Sequence, residues 1–89
     1  MQDTYGVAAF RSRQQVLRFE SALRRRGIPV GVITTPRDIS MGCGLSVRFP
    51  LAHSQTVRRT LMEENPGNLI GIYRADYDGT RLKVSPLRQ

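Results

Sequence analysis

The sequence predicts an α+β domain: one antiparallel sheet with two helices on one face. Two segments carry apolar residues at helical spacing, Val16-Phe19-Leu23 and Val57-Leu61. Four apolar runs of strand character interleave with them in the order strand, helix, strand, strand, helix, strand. Turn residues (Gly27, Pro50 and Asn65-Pro66-Gly67-Asn68) punctuate the junctions.

The first strand is Tyr5–Phe10, apolar on both faces and therefore central in a sheet. A helix follows, with Ser12 as N-cap and Gln15 three residues on, the spacing of a capping box. Val16, Phe19, Ala22 and Leu23 form its inward stripe. Arg24-Arg25-Arg26 fill the last turn, where positive charge suits the helix dipole, and Gly27 is placed to end it. Ile28–Thr34 reads as the second strand, with Pro29 at its start, where a missing N–H is tolerated. Leu45–Phe49 alternates, with Leu45, Val47 and Phe49 facing the core, and Pro50 ends it.

A second helix is expected from about Leu51 to Asn65, with Val57 and Leu61 as its core pair and Leu51 or Met62 extending the stripe. Leu69–Tyr77 is the fourth strand. Asp78-Gly79 is a two-residue hairpin signal, leading to a short edge strand over Thr80–Val84. Residues 84–89 are expected to fray. The order is the split-βαβ, ferredoxin-like pattern in a single domain spanning residues 1–89, with a short extra strand at the C-terminus. In that topology the loop after the second strand shares a rim with the start of the first helix. Arg11, Ser12 and Arg13 are therefore expected beside the Pro36–Gly44 loop, and His53 at the opposite end.

No apolar run approaches the roughly 20 residues that cross a bilayer, and Met1-Gln2-Asp3-Thr4 opens no secretory signal. A single cysteine fits a reducing cytoplasm. The net charge is +7, from 14 basic and 7 acidic residues, and every basic residue but Lys83 is arginine. Such a charge attracts polyanions; arginine-rich codon usage on a solvated surface accounts for it equally well.

Pro36-Arg37-Asp38-Ile39-Ser40-Met41-Gly42-Cys43-Gly44 is longer than the usual hairpin loop of two to five residues. It presents the one cysteine between two glycines. A cysteine works as nucleophile or carrier in its thiolate form. Three features favour that form here. Gly42 and Gly44 let the loop turn N–H groups toward an anion. The first helix offers its positive end on the same rim. Arg37, Arg11 and Arg13 add fixed positive charge. The plainer reading is a cysteine packed as a small apolar residue, which a turn rich in Gly, Pro, Ser and Asp disfavours.

Other chemistries find little support. One cysteine and one histidine cannot complete a four-ligand zinc site, and neither a metal nor a cofactor is expected. No glycine-rich phosphate loop is present. Glu20 is placed to pair with Arg24 at i+4, and Ser40 serves within the turn. A small basic module of this fold that contacts RNA or protein, with Cys43 as a turn residue only, is the alternative. For RNA it has Tyr5, Tyr73 and Tyr77 on strands but no RNA-recognition consensus.

Phe10-x-Ser12, Glu20 with Leu23, Gly27-Ile28, and above all Pro36-Arg37-x-Ile39-Ser40-x-x-Cys43-Gly44-Leu45 resemble the selenium/sulfur carrier protein-like family of short bacterial proteins. The resemblance runs from the first strand to about Tyr73. It implies a carrier rather than a turnover enzyme. Cys43 would bear a persulfide or selenosulfide, with Arg37, Ser40 and Gly44 as motif neighbours and Glu20 holding the helix against the loop. The implied partners are a desulfurase-like donor protein and an acceptor protein. Weak RNA contact and a homodimer stay open, and no membrane partner is expected. The arginine content and the C-terminal hairpin depart from the family pattern.

Overall fold

The computed structural model describes residues 3–39 and 44–87. The elements run β1 (Asp3–Phe10), α1 (Arg13–Arg25), β2 (Gly31–Thr34), β3 (Leu45–Phe49), a single 3₁₀ turn (Leu51–His53), α2 (Ser54–Glu64), β4 (Leu69–Tyr77) and β5 (Leu82–Pro86). They build an α+β fold with one five-stranded sheet in the order β2-β3-β1-β4-β5. Every neighbouring pair is antiparallel.

β1 is central because its residues are apolar on both faces: Val7, Ala8 and Ala9 have no exposed surface. Its register places Gly6 opposite Phe49 and Ala8 opposite both Val47 and Ile72, so these residues share one face. Onto that face pack Val16, Phe19 and Leu23 of α1 and Val57 of α2, forming one core with Ala8, Phe10, Val47 and Phe49. Phe10 and Phe19 meet with ring centroids 5.5 Å apart and planes tilted by 54°.

α1 starts where its signal stands. The Ser12 backbone is extended, and its hydroxyl accepts from the Gln15 N–H at 3.4 Å. Gly27, at φ +80°, turns the chain out of the helix. The arginine run does more than suit the helix dipole. Arg24 binds Glu20 at 2.7 Å and donates to the Val30 carbonyl at 3.0 Å. Arg26 reaches across to α2, donating to the Thr60 hydroxyl and pairing with Glu63 at 2.6 Å.

Several boundaries differ from the expected ones. β2 begins at Gly31 rather than Ile28. Ile28 and Val30 still enter the core, anchoring the segment without ladder bonds around Pro29, which has no N–H to donate. The stripe of α2 runs through Val57, Thr60 and Leu61, whereas Met62 is 82% exposed. Thr60 is tolerated inside because its hydroxyl donates to the Thr56 carbonyl at 2.7 Å and accepts from Arg26.

The β4–β5 connection has four residues rather than two. Asp78 N–H donates to the Arg81 carbonyl, and the Asp78 carboxylate accepts from the Thr80 and Arg81 N–H groups at 2.8 Å each. β5 is thereby displaced to Leu82–Pro86. The frayed tail expected over 84–89 is corrected to strand through Pro86. Leu87 then donates its N–H to the Ile72 carbonyl at 3.0 Å and packs on the core. Backbone paired through Pro86, with Leu87 partly buried after it, is tied down, and residues 88 and 89 lie outside the described residues.

Candidate functional site

The pairings Ala9 with Ser46, Thr34 with Leu45 and Phe10 with Leu69 put four strand ends on one rim of the sheet. They are the ends of β1 and β2 and the starts of β3 and β4. α1 begins on this rim, and Arg11 N–H donates to the Asn68 carbonyl at 2.7 Å, tying the helix entry to the start of β4.

The β2–β3 loop leaves the sheet here. Its root is closed by two contacts. Thr35 N–H donates to the Gly44 carbonyl at 2.9 Å, adding a rung to the ladder. The Thr35 and Ser46 hydroxyls hydrogen-bond at 2.6 Å, with both residues buried. Beyond the root, the Pro36 carbonyl accepts from the Ile39 N–H at 3.0 Å. That β-turn has Arg37 and Asp38 at its corner, both exposed.

Gly44 lies close against Thr35 and the end of β1. A β-carbon there would stand 3.3 Å from the Thr35 hydroxyl and 3.9 Å from the Phe10 carbonyl oxygen. The same geometry locates the C-terminal leg of the loop beside the end of β1, one residue from Arg11.

The described residues thus bring Arg11, Ser12, Arg13 and Gly44 to one rim, while Arg37 stands in the exposed turn beyond the loop's root. Ser40, Gly42 and Cys43 lie outside the described residues. Glu20 forms the expected i,i+4 pair with Arg24, which leads to Val30 at the far end of the helix. No contact of Glu20 with the loop is found among the described residues. His53 ends the 3₁₀ turn after β3, at the opposite end of the sheet from the loop. Among the described residues no three His, Cys, Asp or Glu side chains come close enough to hold a metal ion. Among the described residues no helix is long and apolar enough to cross a membrane.

Thr35 and Ser46 were not legible as a pair. Ser46 falls on the polar side of an alternating strand, where a solvent-facing residue is the ordinary expectation. A cleft of about 610 Å³ was equally hidden; it is lined by Asp38 and by β4–β5 residues including Arg74, Asp76, Arg81 and Lys83. Its charges are of both signs, and Arg74 and Asp76 are paired at 3.2 Å.

These features define a small α+β protein whose one cysteine sits in the connection that leaves the sheet where the first helix begins. The family model described as "Putative Se/S carrier protein-like" matches residues 5–74, and the chain belongs to that family. The match spans β1 to β4, loop included, and leaves out β5. No curated protein and no solved structure matches the chain significantly.

Proposed function

We propose that the chain carries sulfur or selenium between a donor and an acceptor protein, with Cys43 as the bearer. The observation that carries this reading is the family match, which spans the whole Pro36–Gly44 loop. The rim geometry supports it, since arginines and a helix N-terminus stand at the loop's root. In the step envisaged, the Cys43 thiolate attacks the outer sulfur of a persulfide on the donor. The donor's S–S bond breaks, its thiolate leaves, and an S–S bond forms on Cys43, with no net oxidation. Arg37, Arg11, Arg13 and the start of α1 then favour the anionic terminal atom, until an acceptor thiolate removes it by the same exchange. The scaffold is read as ferredoxin-like, supported by the order β2-β3-β1-β4 with both helices over one face; β5 then extends that sheet.

The test is to incubate the reduced protein with a cysteine desulfurase and cysteine and to measure intact mass. One added sulfur on the wild type and none on Cys43→Ala is expected. No adduct, or an equal adduct on the variant, ends this reading.

RNA contact is a second reading with one observation in its favour. The register sets Tyr5, Tyr73 and Tyr77 on the same sheet face, away from the helices, with the Arg48 guanidinium 3.9 Å from the Tyr5 ring centre. Salt-dependent RNA binding that Cys43→Ala leaves intact, without sulfur loading, is the outcome that selects it.

A further inference from the structure

The outward face of α1 presents a leucine flanked on both sides by arginines. At about 100° per residue, Leu17, Ser21 and Gln14 run down its centre, with Arg13 and Arg24 along one flank and Arg18 and Arg25 along the other. All are exposed, Leu17 to 47%. The opposite face, Val16, Phe19, Ala22 and Leu23, is committed to the core, so the helix cannot rotate to hide Leu17. Of the four arginines only Arg24 has an ion-pair partner among the described residues, Glu20. Glu64 borders a shallow cleft of about 460 Å³ together with Leu17, Arg18, Ser21 and Arg25, yet forms no ion pair with either arginine.

We propose that this face docks an acidic segment of a partner protein, whose apolar side chain covers Leu17 while carboxylates meet Arg13, Arg18 and Arg25. The leucine decides between polyanions. A phosphate backbone gains from guanidinium groups but not from an exposed leucine at their centre. A protein segment gains from both, in the usual arrangement of apolar centre and polar rim. Because α1 begins on the rim from which the cysteine loop departs, a partner lying along it has one end at that loop. The inference stands on charge and exposure, and does not depend on what Cys43 carries.

The test titrates the full chain with a fluorescent acidic amphipathic peptide of Glu and Leu, and separately with a uridine oligonucleotide of equal charge. Amide shift mapping locates the contact. The peptide is expected to bind more tightly than the oligonucleotide and to shift the amides of α1. Joint Arg18→Glu and Arg25→Glu substitution should weaken it about tenfold or more, as reversed charges in an interface do. Leu17→Ser should weaken it severalfold, including at high salt. Circular dichroism confirms that each variant is folded. Absent peptide binding, tighter oligonucleotide binding, shifts away from α1, or full affinity in Leu17→Ser each overturns the proposal. Sulfur loading of Cys43 is scored separately by mass, so failure of the carrier reading and failure of this docking proposal are told apart.

Discussion

The hydroxyls of Thr35 and Ser46 hydrogen-bond at 2.6 Å in the interior, at the root of the loop that contains Cys43. Both residues are buried, and each hydroxyl is satisfied by the other. Thr35→Val or Ser46→Ala alone should cost about 1–3 kcal/mol, the usual range when one buried polar partner is orphaned. The double variant should cost clearly less than the sum. Urea unfolding of all four proteins closes the cycle, and strict additivity would show that the pair does not hold the root.

Arg37 stands at the exposed corner of the Pro36–Ile39 turn, away from the core. Arg37→Ala should therefore change stability by less than about 0.5 kcal/mol. It should slow sulfur loading of Cys43 severalfold, and Arg37→Lys should retain most of the rate. Time-resolved intact mass beside urea midpoints separates the two effects. An unchanged loading rate removes Arg37 from the electrostatic account.

Gly6 lies under the Phe49 ring, and a β-carbon at position 6 would overlap the ring edge. Phe49 is buried and packed in the core. Gly6→Ala should destabilise by about 1–3 kcal/mol, as overpacking does. Adding Phe49→Leu, which withdraws the ring, should make the alanine far less costly than it is alone. If alanine costs the same with and without the ring, the close approach is not the reason for glycine here.

The Asp78 carboxyl is held below its ordinary value by hydrogen bonds from the Arg81 and then the Thr80 backbone N–H groups. A folded-state pKa below the unfolded one means that the contribution is complete above the unfolded value, about 4. It is lost as pH falls through the folded value. Stability of the wild type should therefore decline on acidification below about pH 4, and Asp78→Ala should show a shallower decline. Urea midpoints across that range test the sign; an identical slope in the variant would assign the acid sensitivity elsewhere.

Much of the scaffold was legible because local chemistry and tertiary packing agree. β3 and β4 occupy the expected residues, since alternation and turn residues mark both ends. Ser12 and Gly27 bracket α1 as their types require. Legibility failed where a distant partner decided the outcome. The arginine run was read as a complement to the helix dipole, but Arg26 spans to Thr60 and Glu63, more than thirty residues away. Thr60 joins the buried stripe with its hydroxyl donating to the Thr56 carbonyl and accepting from that same distant arginine. The β4–β5 turn widened because the Asp78 side chain captured two N–H groups, a competition that the Asp-Gly pair alone does not reveal.

By itself the sequence determined the α+β class, the central place of β1, the capped first helix and the glycine-flanked cysteine loop with its family motif. Periodicity, capping and turn chemistry are short-range, and each acts within a few residues. Only the tertiary structure decided what closes the root of that loop and where Leu87 docks. It alone also showed that Leu17 stays exposed among arginines while Leu23 is buried. Those outcomes depend on which surfaces meet across the chain, and burial is settled by the neighbours that arrive from elsewhere in the fold.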